Sequence, residues 1–218
     1  MPRTNPDNAA GHIEVITGGM FSGKSEELVR RLRRALIARQ RIQVFKPVAD
    51  TRSAPEHIVT RDNRELEAHA VRSAAELRER LELGVEVVAI DEAQFFDAGL
   101  VELVNELADL GMRVIIAGLD QDYLRRPFGP MPALMATAEY VDKMHAVCVR
   151  CGAPAAYSNR TAGGDEQLQV GDVESYEARC RRCFETFSGE RSEDSVRAAA
   201  GRVEASTDSE RVAAEHKN

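Results

Sequence analysis

The octapeptide Gly18-Gly-Met-Phe-Ser-Gly-Lys-Ser25 stands between an alternating apolar run, His12-Ile-Glu-Val-Ile-Thr17, and a run of helical spacing. It fits G-x-x-x-x-G-K-[ST]. The glycines of such a loop permit backbone angles that turn successive N–H groups inward, and the helix that follows adds its N-terminal dipole. Lys24 then reaches the β- and γ-phosphates of a bound nucleotide, and the Ser25 hydroxyl binds Mg²⁺. A strand before and a helix after are the context this loop requires, and they commit the chain to an α/β architecture.

The rest of the pattern agrees. "VEVVAI" (85–90) and "MRVIIAGL" (112–119) are nearly continuous β-branched runs, as expected of parallel strands covered on both faces, and "RIQVFK" (41–46) is a fourth strand. Leu28, Val29, Leu32, Ala35 and Leu36 recur at helical spacing, as do Leu100, Leu103, Val104, Leu107 and Leu110. Ser73 to Leu83 predicts a shorter helix, with Gly84 as its stop. The expected fold is P-loop NTPase-like: a mostly parallel sheet flanked by helices, with ligands at the C-terminal ends of the strands. Arg30, Arg31, Arg33 and Arg34 share a helix with the Leu28/Leu32/Leu36 stripe and are expected to form its solvated face.

"VVAIDEAQFF" places Asp91 and Glu92 at the end of a buried strand, expected to lie beside the strand that feeds the cradle. Asp91 suits the carboxylate that holds the Mg²⁺ shell. Glu92 suits a general base acting on water or on a substrate hydroxyl. The competing reading is that both acids merely open the next helix, where they complement its dipole. "DEAQ" also resembles the box of nucleic-acid translocases. Those need a second motor lobe, for which 218 residues leave no room, and a charge of 29 − 36 = −7 argues against a large phosphate-backbone footprint.

The four cysteines form two C-x-x-C pairs, Cys148/Cys151 and Cys180/Cys183, separated by the 28 residues 152–179. Four thiolates hold Zn²⁺ tetrahedrally in a closed, structural shell. Such a clamp makes the intervening segment a tethered loop, as a substrate lid requires. The expected organisation is a flexible start (1–11), a P-loop α/β domain (12–140), a zinc-binding lobe (141–187) and a disordered acidic tail (188–218), the last lacking aromatic residues and any large apolar residue but three valines. No segment is apolar enough to span a membrane and no signal core opens the chain, so the expected location is the cytoplasm.

Taken in order, "GGMFSGKS", "DTR" (50–52), "DEAQFF" (91–96), "LDQDYLRRPFG" (119–129) and the two knuckles flanking "YSNR" (157–160) resemble the type II, zinc-containing thymidine kinase family from about His12 to Phe187. The resemblance implies transfer of the γ-phosphate of ATP to the 5′-hydroxyl of thymidine, and of deoxyuridine as well. It implies ATP contacts from Gly18, Gly19, Met20, Phe21, Ser22, Gly23, Lys24 and Ser25, from Asp50, Thr51 and Arg52, and from Asp91, Ala93 and Gln94. It makes Glu92 the base. Tyr123 stands where the family has a phenylalanine packed on the base. Gln167, Leu168, Gln169, Val170, Gly171 and Tyr176 would enclose the nucleoside. Structural Zn²⁺, Mg²⁺ with ATP, a homo-oligomer (a tetramer in the family) and no nucleic-acid or membrane partner complete the expectation. Leu124-Arg125-Arg126 departs from it, replacing a more polar, glycine-containing stretch. Two rivals from other classes are an ATP-dependent nucleic-acid binder with a zinc ribbon and a non-catalytic nucleotide sensor.

Overall fold

The computed structural model describes residues 11–48, 58–59, 65–161 and 175–184. Asp50, Thr51, Arg52 and the segment Gln167 to Gly171 lie outside the described residues, as do the start of the chain and the tail from 185. In chain order the strands are β1 (His12–Gly18), β2 (Ile42–Pro47), β3 (Ile58–Val59), β4 (Glu65–Leu66), β5 (Ala68–Val71), β6 (Val87–Ile90), β7 (Arg113–Gly118) and β8 (Tyr140–Met144). The helices are α1 (Lys24–Ile37), α2 (Ala74–Glu79), α3 (Gly99–Asp109) and α4 (Met131–Thr137). Six strands form one sheet in the order β5-β2-β6-β7-β1-β8, parallel at every described pairing, while β3 and β4 make a separate antiparallel pair.

Each sheet face has its own core. Helix α1 buries Leu28, Leu32 and Ala35 against Ile16, Val44, Val87, Ala89, Ile115 and Ala117. The opposite face packs Ile13, Val15, Phe45, Val88, Ile90, Val114 and Ile116 under α2, α3 and α4. Alternate residues of β6 and β7 therefore point into two apolar layers, the physical reason for their unbroken β-branched runs. The edge strand β8 extends the sheet past residue 140, to Met144.

Three expectations are corrected. Strands β1 and β6 are not neighbours, because β7 lies between them. The helix expected over Ser73 to Leu83 stops at Glu79, where the Gln43 side chain takes over the backbone: its Nε2 donates to the Arg80 carbonyl (2.9 Å) and its Oε1 accepts from the Glu82 N–H (3.0 Å). Arg31 leaves the solvated face of α1 and is only 9 % exposed. Its guanidinium pairs with Glu14 of β1 (2.6 Å), Glu27 of α1 (2.8 Å) and Asp142 of β8 (2.5 Å), tying helix, strand and sheet edge together.

The acids around this arginine are shifted accordingly. A hydrogen bond from Arg30, with further help from Arg31, holds the Glu27 carboxyl at about 2. Burial pushes Glu14 up, but Arg113, His12 and Arg31 together hold it below its ordinary value. Such depressed carboxyls stabilise the fold fully above pH 4.5 and lose that contribution as pH falls from 4.5 through about 2. Arg31→Met leaves Glu14 with Arg113 and His12 only and is expected to cost about 1–3 kcal/mol in urea unfolding at pH 7, with a shallower loss of stability below pH 4.5 than the parent chain shows.

Candidate active site

The cradle begins where β1 ends. Gly18 has φ of +135°, and a Cβ there would sit 2.3 Å from the Met144 carbonyl oxygen, so β8 can close beside the loop only because the residue is glycine. Phe21 and Gly23 also take positive φ, and Gly23 caps α1. Lys24 is the first residue of that helix and Ser25 the second. The Lys24 Nζ donates to the Gly19 carbonyl (2.9 Å), which also accepts from the Ser22 hydroxyl (2.8 Å). The Met20 N–H donates to the Ser158 hydroxyl (2.9 Å), a link from the cradle to the cysteine lobe.

Burial holds the Lys24 ammonium below its ordinary value, and the carboxylates of Glu92, Asp91 and Asp120 offset only part of that shift. Asp91 and Glu92 follow β6, and Asp120 follows the intervening β7. Asp120 is 5 % exposed and ion-paired to Lys143 Nζ at 2.6 Å. It is a site group that the sequence reading missed, although it follows a buried strand just as Asp91 does. Glu92 holds a left-handed backbone (φ 50°, ψ 41°), a sparsely populated conformation for a residue with a Cβ. The Asp91 Oδ1 accepts from its N–H (2.9 Å), and Gln94 Nε2 donates to its carboxylate. Gln94 is buried, and its Oε1 accepts from the Leu119 N–H at 3.0 Å. A Cβ at Gly129 would fall 2.1 Å from the Gln94 carbonyl oxygen, so the segment after β7 locks onto the turn of Ala93–Phe95.

The cysteine lobe adds strands β9 (Ala146–Val147), β10 (Pro154–Ala155), β11 (Tyr157–Arg160) and β12 (Tyr176–Arg179), paired as two antiparallel ribbons. Its core is Ala146, Ala155 and Ala178 with Cys148, Cys180 and Cys183, too little apolar surface to hold such a lobe alone. The four sulfurs of Cys148, Cys151, Cys180 and Cys183 lie within 4.8 Å of one another, Cys151 and Cys180 at 3.6 Å. Tetrahedral zinc at its usual bond length sets sulfurs about 3.8 Å apart, so the donor set fits a closed Zn²⁺ site.

Every residue of β11 is buried. Ser158 holds the cradle. Arg160 lays its guanidinium 3.6 Å from the centroid of the Tyr123 ring and donates to the Tyr176 hydroxyl (2.6 and 3.1 Å). The two aromatic residues expected at the nucleoside, Tyr123 and Tyr176, are thus brought together by the arginine of the Y-S-N-R motif.

A P-loop phosphotransferase is the class that this parallel sheet, cradle and facing carboxylates define. The family model for thymidine kinase matches residues 11–184. The chain is 53 % identical over 174 residues to a thymidine kinase of Bdellovibrio bacteriovorus (80 % of this chain, 85 % of that one). It is 52 % identical over 178 residues to one of Porphyromonas gingivalis (82 % and 87 %) and 52 % over 177 residues to one of a Rhodothermus species (81 % and 83 %). The chain belongs to the thymidine kinase family.

With so small an apolar core, the lobe should follow its metal. Cys183→Ser is expected to reduce bound zinc, measured by plasma mass spectrometry, to a small fraction of an equivalent. In hydrogen exchange it should unfold β9 to β12 while β1, β6 and β7 stay protected.

Proposed function

We propose that the chain transfers the γ-phosphoryl group of ATP to the 5′-hydroxyl of thymidine, and of deoxyuridine, serving pyrimidine salvage. The reading is carried by the convergence of Lys24, Asp91, Glu92 and Asp120 at one end of the sheet, in a chain of this family. The cradle N–H groups and Lys24 bind the phosphates. Glu92 takes the 5′-hydroxyl proton as the oxygen attacks the γ-phosphorus, and the bond to the β-phosphate oxygen breaks to release ADP. Gln94, bonded to both Glu92 and the Leu119 backbone, keeps the carboxylate aimed. Ser25 and Asp91 are hard oxygen donors suited to Mg²⁺, which would offset charge on the phosphates. Asp50, Thr51 and Arg52 complete the nucleotide side.

Tyr123 and Tyr176 bound the nucleoside side with the segment Gln167, Leu168, Gln169, Val170 and Gly171, whose backbone groups read the pyrimidine edge. We place the protein in the cytoplasm as a homo-oligomer, a tetramer by family resemblance. Among the described residues no helix is long and apolar enough to cross a membrane, and Tyr140 and Val141 are exposed on the edge strand.

Glu92→Gln should keep ATP binding by calorimetry and lose about 10²–10⁴-fold in thymidine turnover with labelled ATP. Near-normal turnover would remove Glu92 as the base. A nucleoside panel run on the parent chain tests the substrate assignment, because labelled product with no nucleoside, or with none from thymidine, contradicts it.

A further inference from the structure

The segment Asp120 to Phe128 is a tight hairpin in which Gln121 bridges Pro127. The Asp122 Oδ1 accepts from the N–H groups of Leu124 (2.8 Å) and Arg126 (2.9 Å), and the Asp122 carbonyl accepts from the Arg125 N–H (3.0 Å). This turn forces Arg125 to a φ of +63°, a conformation glycine adopts freely and arginine does not. The expectation of a glycine in this stretch thus has a backbone reason, and the arginine is a local misfit. Its side chain is half-buried rather than free in solvent. The guanidinium carbon lies 4.7 Å from the Phe184 ring centroid and 5.5 Å from that of Tyr157, two rings that themselves meet edge to face at 5.5 Å. Arg181 approaches Tyr157 as well, at 5.3 Å.

Tyr157 opens β11, and Phe184 follows Cys183 in the second knuckle. The hairpin therefore grips the lobe twice with alternate residues: Tyr123 meets Arg160 at one end of β11, and Arg125 meets Tyr157 at the other. Between them Ser158 holds the cradle. A strand fixed at both ends has little freedom to shift against the hairpin, and the second grip rests on a residue whose backbone would be more relaxed as glycine.

We propose that Arg125 is a positioning residue: its guanidinium, seated on Tyr157 and Phe184, pins β11 and the second knuckle to the Asp120–Phe128 hairpin and so sets the nucleoside side of the site. The proposal rests on the thymidine kinase reading for its substrate, and on geometry alone for the clamp. It separates nucleoside affinity from chemistry, since Arg125 touches neither the cradle nor the carboxylates at any described contact.

The test compares Arg125→Gly and Arg125→Lys with the parent protein, zinc-loaded and full-length. Glycine suits the backbone and removes the cation; lysine keeps the cation and the unfavourable φ. Arg125→Gly is expected to retain the parent's melting temperature or exceed it. Its KM for thymidine should rise about five- to tenfold with kcat and the KM for ATP within about twofold, and exchange of the β11 amides should quicken by a similar factor. Arg125→Lys should stay near the parent on both readouts. A merely structural arginine would order the variants the other way, and that order overturns the proposal. An unchanged thymidine KM in Arg125→Gly also overturns it, whatever the exchange shows. If the parent chain phosphorylates no thymidine, the substrate reading fails, while faster β11 exchange in Arg125→Gly still upholds the clamp and unchanged exchange refutes it.

Discussion

A lysine ammonium sunk beneath the cradle is tolerable only because three carboxylates face it. Desolvation alone would favour the neutral amine. Asp91, Glu92 and Asp120 oppose that tendency without overcoming it, and they can do so because each follows a strand whose C-terminal end opens on the same edge of the sheet. Parallel order is thus a condition of the charge arrangement and not only of the fold. The same order places the cradle, at the end of β1, within reach of acids that follow both β6 and β7. The lysine itself is held in place by the Gly19 carbonyl.

Much of this was legible in the residues. The cradle announces itself through glycine spacing, β6 and β7 through β-branched runs, α1 and α3 through apolar periodicity, and the metal lobe through its cysteine pairs. Each of these signals is local. What was hidden depends on which elements become neighbours. Strand order is invisible to periodicity, so β7 was not foreseen between β1 and β6, and Asp120 was not foreseen among the acids. Arg31 has the sequence neighbours of a surface residue. Only the arrival of Glu14 and Asp142, on two other strands, makes its burial favourable. Helix α2 ends early for a related reason, since its stop is supplied by Gln43 from β2 rather than by its own glycine.

The lobe follows a different logic from the sheet. The two sheet faces are filled by Ile, Leu, Val and Phe, whereas the lobe has alanines and thiols. Its order must come from contacts with the larger body through β11 and from a metal ion that the four clustered thiolates could hold. Tyr157, Ser158 and Arg160 each engage a different partner in the sheet domain, and all are buried. A motif that reads as four ordinary letters in sequence, Y-S-N-R, is therefore the mechanical junction between the sheet domain and the cysteine lobe.

That junction has a bearing on how acceptor choice can drift or be redesigned. Since three of four neighbouring side chains are already committed to holding two halves in register, substitutions along β11 would disturb both halves at once and give a chain little chance to sample new acceptors. Variation is cheaper at positions that border the base without spanning the seam. Libraries aimed at altered nucleoside preference would do best to leave β11 untouched and diversify around it.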